Sequence, residues 1–219
     1  MIAREGYAVV GVSLLAALAF YYSGAFFPAA AAFVLAGVLG WLHASPRRAI
    51  PASPRGLLSP VDGRVLRVEP FHDPWLDRDV LRIGIELRPP GITVLHSVIE
   101  GKIKNLWTAY GPLGESQLKR SLDASPDCYA LWIKTDEDED VVIAVSSRWP
   151  VSRCRFDKGP GERVGQGSRI GFVYFASAVD VLVPSDSPSR VAPGDRVRAI
   201  ESILGQIRQE QDRRRPHGD

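Results

Sequence analysis

Two long apolar runs, Tyr7–Tyr22 and Ala25–Leu42, open the chain, and neither contains a charged residue. The dipeptide Ser23-Gly24 separates them and is typical of a turn. Neither run carries the polar stripe that a helix packed against a water-soluble core normally shows. Each is slightly shorter than the roughly 20 residues that a helix needs to cross a bilayer. The pattern predicts a membrane-anchoring helical hairpin over residues 1–44, with a re-entrant or interfacial helix pair as the alternative.

The pattern changes after residue 56 to short segments rich in β-branched and aromatic residues, bounded by turn residues. Predicted strands are Val65–Val68, Val80–Leu87, Ile92–Ile99, Tyr129–Lys134 and Val141–Ser146. The acidic run Asp136–Asp140 predicts a solvated hairpin loop. Further helices are expected only around Gly114–Leu122 and over Ile200–Arg214. Residues 45–56, rich in proline and arginine, form a predicted linker to one β-rich domain over residues 57–219.

Weak internal similarity links two segments of this β-rich region. Pro160–Gly171 and Val191–Gly205 share Gly-acidic-Arg-Val, followed by an apolar residue six or seven positions after the valine. Together with Ser59–Val65 they resemble the turns of a biotinyl- or lipoyl-type β-sandwich. The predicted fold class is therefore mainly β, of a β-sandwich or barrel-sandwich type. No lysine occupies the hairpin tip in these segments, so a swinging-arm carrier is not expected.

The distribution of charge favours a membrane surface over nucleic acid. The 219-residue chain has a net charge of only +2, which gives no case for nucleic-acid binding. Arginines flank both outer ends of the apolar pair and recur at the C-terminus: Arg4, Arg47, Arg48, Arg55 and Arg213–Arg215. By the positive-inside rule, both ends of the hairpin and the β-rich domain face the cytoplasm, at the inner membrane.

The two cysteines, Cys128 and Cys154, have no CxxC spacing and no histidine nearby. This arrangement favours reduced thiols in a cytosolic compartment over a disulfide or a metal site. No metal is therefore expected.

The stretch Ile170–Pro184 is an almost unbroken apolar run with one hydroxyl, Ser177, at its centre. It predicts two strands, or one bent strand, with small residues at the bend. A serine in such a setting is more often a core or edge hydroxyl bonded to a neighbouring carbonyl. Small neighbours also allow a close approach to the backbone carbonyl of Ala176. The residues alone therefore leave open whether Ser177 is a structural hydroxyl or one that attacks this carbonyl.

This stretch resembles the processing site of phosphatidylserine decarboxylases, in which phenylalanine, a small residue and serine lead into Val-Asp-Val-x-x-Pro. Phe175, Ser177 and Val179–Pro184 match, whereas Ala176 stands where the family usually has glycine. Leu58–Val65 is similar to the family's Ser-Pro-Ala-Asp-Gly block. Arg88–Ser97 stands where the family has its histidine block: the later of two histidines falls on His96, and the earlier falls on Thr93.

The resemblance implies a Ser-His-Asp constellation of Asp62, His96 and Ser177. His96 would take the proton of Ser177, Asp62 would orient the imidazole, and the hydroxyl would attack the carbonyl of Ala176. The chain would then break between residues 176 and 177, and Ser177 would become a pyruvoyl group, so that no external cofactor is needed. The large and small chains would remain associated, a homo-oligomer is possible, and the substrate would be a phospholipid in the membrane.

The resemblance leaves three functions open. The first is decarboxylation of phosphatidylserine to phosphatidylethanolamine. The second is a non-processing, non-catalytic lipid-binding or scaffold relative, for which Ala176 and the altered segments Ala124–Cys128 and Val145–Arg148 argue. The third is decarboxylation of a different amino-acid headgroup. Arg88 and Lys102 are candidates for holding the lipid phosphate and carboxylate.

Overall fold

A computed structural model of the chain describes residues 4–42, 51, 53, 55–87, 92–107, 127–147, 153–174, 176 and 178–208. The chain divides into two compact units, Met1–Arg48 and Ala49–Asp219.

The first unit consists of two helices, α1 (Arg4–Tyr22) and α2 (Phe26–Leu42), joined by a short turn in which Gly24 has a φ of 79°. Both predicted helices are thus confirmed. Large apolar side chains of both helices are exposed, among them Leu15 (68%), Tyr22 (80%) and Phe27 (92%). Within residues 4–42, neither helix has the combination of length and apolar character required to span a membrane.

The second unit is built from β-strands. In chain order they are β1 (Gly56–Leu58), β2 (Gly63–Asp73), β3 (Arg78–Leu87), β4 (Ile92–His96), β5 (Gly101–Trp107), β6 (Asp127–Lys134), β7 (Asp140–Ser147), β8 (Arg153–Phe156), β9 (Arg163–Val164), β10 (Arg169–Tyr174), β11 (Ala178–Pro184), β12 (Arg196–Val197) and β13 (Ile203–Gln206). The largest sheet has the order β12-β2-β3-β11-β7-β6-β5-β9. A three-stranded sheet has the order β4-β10-β8, and β1 pairs with β13.

All five predicted strand segments contribute to strands, and the acidic run forms the predicted turn between β6 and β7. The central stretch is two strands rather than one bent strand, and these belong to different sheets. The predicted helix over Ile200–Arg214 is wrong for its described part, because Ile203–Gln206 is a strand that pairs with β1. Ile200 itself has a φ of 70°, which a right-handed helix cannot accommodate. The helix predicted at Gly114–Leu122 lies outside the described residues.

One continuous core fills the β unit on the inner face of the large sheet. Alternating residues of β3, β6, β7 and β11 supply most of it, and β4 and β10 contribute Leu95, Ile170 and Val173. A smaller cluster on the opposite face is partly covered by Trp75, Trp107 and Trp132. The indole rings of Trp107 and Trp132 stack, with 6.2 Å between centroids.

The internal similarity in the sequence corresponds to repeated backbone geometry. The antiparallel pair β12–β2 joins Arg196 to Arg64 and Val197 to Gly63, and the pair β9–β5 joins Arg163 to Lys102 and Val164 to Gly101. The next hydrogen bonds also correspond. Val65 N donates to Asp195 O (2.8 Å) and Gly194 N to Val65 O (2.7 Å), as Ile103 N donates to Glu162 O (2.9 Å) and Gly161 N to Ile103 O (2.8 Å). The two edges of the large sheet are therefore built by equivalent strand pairs, β12–β2 at one edge and β9–β5 at the other.

A buried ion pair joins β3 to β11 near the middle of the large sheet. Arg82 Nη2 lies 2.7 Å from Asp180 Oδ2, and the two side chains are 5% and 3% exposed. The guanidinium also lies over the Phe71 ring, 4.7 Å from its centroid. Gly84 faces Asp180 across the strands, and a Cβ at Gly84 would come within 2.8 Å of the Asp180 carboxylate. The glycine thus makes room for the carboxylate.

Removing one partner of this pair should destabilise the fold strongly, because the other charge stays buried and loses its close partner. Without Asp180, Arg82 keeps only Glu69, whose Oε1 lies 3.8 Å from Nη1. Arg82→Met or Asp180→Asn is expected to lower the free energy of unfolding by about 3–5 kcal/mol. Urea unfolding of an uncleaved Ser177→Ala chain measures the change. Lys158→Gln, which removes the exposed Lys158–Glu162 pair, is the control and should cost less than about 1 kcal/mol. A cost for the Arg82 or Asp180 variants as small as the control's would contradict a structural role of the buried pair.

Candidate active site

The predicted cleavage site lies where the chain passes from one sheet to another. Strand β10 ends at Tyr174 in the three-stranded sheet, and β11 begins at Ala178 between β3 and β7 of the large sheet. Ala176 lies between them and is buried in the main core, with 9% of its surface exposed. Phe175 and Ser177 lie outside the described residues. The junction is thus placed through Ala176 and Ala178.

Asp62 lies at the same end of the large sheet as Ala178. Gly63, the first residue of β2, pairs with Leu87, and Ala178, the first residue of β11, pairs with Glu86 on the other side of β3. Because neighbouring strands are about 4.8 Å apart, the starts of β2 and β11 are separated by about 10 Å. The Asp62 side chain is exposed, and its Oδ1 accepts a hydrogen bond from Ala199 N at 2.9 Å.

His96 ends β4 and contacts the segment that carries Asp62. Its backbone N donates to Pro60 O at 3.1 Å, two residues before Asp62. The imidazole is half-buried. Along the β4–β10 pair, His96 lies opposite Arg169, whereas Thr93 lies opposite Val173 and is therefore closer in register to the cleavage junction. The link between His96 and the junction is therefore its contact with the Asp62 segment, and not its position along β10.

The structure therefore brings the Asp62 and His96 segments together and places Asp62 at the Ala178 end of the sheet. The complete Asp62–His96–Ser177 constellation stays a prediction, because position 177 lies outside the described residues. Of the two anion-binding candidates, Arg88 also lies outside them. Lys102 pairs with Lys134, at the end of the large sheet opposite to Ala178, so it is not brought to this site.

A hydroxyl that the sequence did not single out lies beside the junction. Ser146, near the end of β7, pairs with Ala178, and its Oγ donates to Ala178 O at 3.4 Å. Ser146 is half-buried. The length of the hydrogen bond indicates a weak contact. Only the strand register reveals this proximity, since 31 residues separate Ser146 from Ser177 in the sequence.

Cys154 is not suited to act as a nucleophile. The thiol lies on β8 and packs against the main core, and this burial raises its pKa to about 12. Thiolate, rather than thiol, is the reactive form, so Cys154 is expected to be inert at neutral pH. The side chain of Cys128 lies outside the described part of the structure. Within that part, no group of three or more His, Cys, Asp or Glu residues is placed to hold a metal ion.

Comparisons with known proteins agree on one family. The family model described as phosphatidylserine decarboxylase matches residues 36–205. A phosphatidylserine decarboxylase proenzyme of Nitrosomonas europaea is 31% identical over 208 residues, covering 94% of this chain and 95% of the relative. Proenzymes of the same name from Nitrosomonas eutropha and Aromatoleum aromaticum are 31% and 29% identical over similar lengths. No solved structure matches the chain.

Proposed function

Since this chain belongs to the phosphatidylserine decarboxylase family and is a decarboxylase, we propose that it matures by self-cleavage and converts phosphatidylserine to phosphatidylethanolamine and CO2. Three further features belong to the proposal: the break between Ala176 and Ser177, the pyruvoyl group formed from Ser177, and the roles of Asp62 and His96.

The observation that carries the proposal is the position of the junction between β10 and β11. The break would fall between β10, which ends at Tyr174, and β11, which begins at Ala178, two strands of different sheets. Ala176 is buried there, so its carbonyl lies in surroundings that limit competing attack by water. A new chain beginning at residue 177 would lead directly into β11, which pairs with β3 and β7.

Self-cleavage would use only groups of this chain and water. His96 accepts the proton of Ser177 Oγ, and the hydroxyl attacks the carbonyl carbon of Ala176, which converts the peptide bond to an ester. Loss of the Cα proton of residue 177 then breaks the bond between Cβ and the ester oxygen. Ala176 is released as a carboxylate, and residue 177 is left as dehydroalanine. Addition of water and loss of ammonia leave the pyruvoyl group. Asp62 holds the imidazole in the productive orientation.

The position of β11 fits a group built at the start of that strand, because a strand paired on both sides holds its first residue firmly. The pyruvoyl carbonyl supplies an electron sink for the pair of electrons released when CO2 leaves the substrate. His96, beside the Asp62 segment, would return a proton to the substrate carbon that has lost CO2. Core residues around Ala176 would restrict water near the reacting atoms.

The two products of cleavage would remain associated through the sheets. Residues 177–219 include β11, which is central in the large sheet, β12, which pairs with β2, and β13, which pairs with β1. The buried pair Arg82–Asp180 would also link the large chain to the small one. Separation would therefore require breaking four strand pairings, β11 with β3, β11 with β7, β12 with β2 and β13 with β1, and exposing the core.

The exposed apolar surface of the helical hairpin supports attachment to the membrane that holds the substrate. The two helices form an apolar groove of about 830 Å³, lined by residues such as Leu14, Leu18 and Phe33. Aromatic residues at the turn, including Tyr22 and Phe27, suit the interface between lipid and water. The proposal places the hairpin at the inner membrane by re-entrant or interfacial insertion, and the β unit in the cytoplasm.

Release of labelled CO2 from carboxyl-labelled phosphatidylserine in detergent micelles tests the substrate. The purified full chain should release CO2 from this lipid. A panel of other amino-acid headgroups separates the third candidate function. The second candidate, a lipid-binding relative without chemistry, is favoured by Ala176 in place of glycine. An uncleaved chain that binds anionic vesicles and releases no CO2 would establish it instead.

Replacing Ala176 with glycine should accelerate self-cleavage. If the residue before the serine must pass through a left-handed conformation, alanine costs about 1–2 kcal/mol more than glycine there. Ala176→Gly is then expected to raise the cleavage rate by roughly tenfold. Electrophoresis at successive times after synthesis measures the rate. Ala178→Gly, on the other side of the serine, is the matched control, and an equal acceleration in both variants would contradict a specific requirement at residue 176.

A further inference from the structure

Two arginines lie directly opposite each other beside Asp62. Arg64 on β2 pairs with Arg196 on β12, and both side chains are exposed. Directly paired residues of antiparallel strands point to the same face of the sheet, so like charges in this arrangement are destabilising. The pair therefore calls for a compensating negative charge.

At the opposite edge of the sheet, in the equivalent strand pair, carboxylates of the chain itself offset the positive charges. There, Lys102 pairs with Arg163. Arg163 Nη2 lies 2.6 Å from Asp136 Oδ2 and 3.7 Å from Glu100 Oε1. Two carboxylates thus offset the two cations of this repeat.

Among the described residues, no ion pair provides such compensation at the Asp62 end. Arg64 Nε donates to the backbone oxygen of Gly194 at 2.9 Å. Neither Arg64 nor Arg196 forms an ion pair with another described residue. Glu86 on β3 pairs with Arg64 on β2, yet the structure shows no ion pair between these two side chains. The same backbone arrangement therefore carries an ion-paired arginine at one end and, within the part of the chain that the structure describes, two arginines without an ion pair at the other.

Arg64 and Arg196 belong to the row of residues that leads to the cleavage junction. Across the sheet, the row runs Arg196, Arg64, Glu86, Ala178. With strands about 4.8 Å apart, Arg64 lies about 10 Å and Arg196 about 14 Å from Ala178, measured between backbones. Long arginine side chains can reach part of that distance. The row thus places positive charge at its far end and a carboxylate close to the junction.

This order of charges matches the headgroup of a serine phospholipid. In that headgroup, two carbons and one oxygen separate the amine from the phosphorus, so an amine held next to Ala178 would leave the phosphate on the side of the arginines. The ammonium end would pass Glu86. Guanidinium groups bind phosphate oxygens by paired hydrogen bonds. Resting on the function proposed above, we propose that Arg64 and Arg196 form the subsite for the phosphodiester of the lipid headgroup.

Calorimetric binding of glycerophosphoethanolamine to the full chain tests this subsite without turnover, since this probe has the phosphodiester and the amine but no carboxylate to lose. Arg64→Gln and Arg196→Gln are each expected to weaken its binding by at least about tenfold. Arg163→Gln, in the equivalent pair at the other end, is the matched control and should bind like the unmodified chain. Ethanolamine, which lacks the phosphate, should bind all four proteins equally. Unchanged melting temperatures exclude misfolding as the cause.

Three results would overturn the subsite: undiminished glycerophosphoethanolamine binding in both arginine variants, an equal loss in Arg163→Gln, or inorganic phosphate binding as tightly as the probe, which would indicate a site for free phosphate. A chain that binds the probe through Arg64 and Arg196 but releases no CO2 from phosphatidylserine would retain the subsite and contradict the proposed function. In an active enzyme, the arginine variants should raise KM for phosphatidylserine far more than they lower kcat.

Discussion

A chain in which Ser177 is replaced by alanine is expected to remain a single polypeptide of 219 residues and to release no CO2 from phosphatidylserine. The hydroxyl is both the nucleophile of self-cleavage and the source of the pyruvoyl group, so its loss removes two functions at once. The fold should persist, because the neighbouring strands β10 and β11 keep their partners. Electrophoresis and a CO2-release assay on the same preparation measure both effects.

Ser146→Ala provides the matched control for this variant. Ser146 is a half-buried hydroxyl at the same junction, but its hydrogen bond to Ala178 O is long, at 3.4 Å. Its removal should leave cleavage and CO2 release within a few-fold of the original rates. Cleavage that continues in Ser177→Ala at the rate of the unmodified chain would show that another residue is the nucleophile.

Replacement of His96 by glutamine is expected to slow self-cleavage by about 10²–10⁴-fold, the usual contribution of a general base. The imidazole is the group that the proposal uses to accept the serine proton, and its backbone is fixed to the Asp62 segment by the bond from His96 N to Pro60 O. That bond does not involve the side chain, so the substitution should preserve the local backbone. The measurement is the rate at which the two fragments appear after synthesis.

His72→Gln serves as the control for the loss of a histidine. His72 lies in β2, and its exposed ring contacts Asp79 and Asp77. These hydrogen bonds raise the pKa of His72. The shift affects only this exposed group of His72, Asp77 and Asp79. Cleavage at an unchanged rate is expected. If His96→Gln cleaves as fast as His72→Gln, the base lies elsewhere, and Thr93, opposite Val173, marks the part of β4 to test next.

Much of the fold could be predicted from local patterns, and the errors have physical causes. Strands with strong β-branched character, such as Val80–Leu87 and Val141–Ser146, are predictable because their composition differs clearly from the turns around them. Short strands such as β9 and β12 cannot be predicted from the sequence, since two residues give no periodicity. The segment after Ile200 has helix-forming residues, but Ile203–Gln206 instead pairs with β1. Tertiary pairing there outweighs local propensity.

In the candidate site, too, some residues can be singled out from the sequence and others only from the structure. Motifs single out Asp62 and His96, and the hydrogen bond from His96 N to Pro60 O brings their segments together, while their catalytic roles stay predictions. The row of Arg196, Arg64, Glu86 and Ala178 could not be predicted, because it draws on four strands whose order is not encoded locally. The one sequence signal for this row is the Gly-acidic-Arg-Val pattern that Pro160–Gly171 and Val191–Gly205 share. Their pairing with β2 and β5 becomes visible only in the sheet.

The intact mass of the purified full-length chain tests the central claim most directly. The account predicts two species that share the 24.0 kDa of the chain, residues 1–176 and residues 177–219. The small species should be lighter by one ammonia than a fragment released by simple hydrolysis, and resistant to N-terminal sequencing. A single species with the mass of the whole chain after long incubation, or a small fragment with a free N-terminal serine, would contradict it.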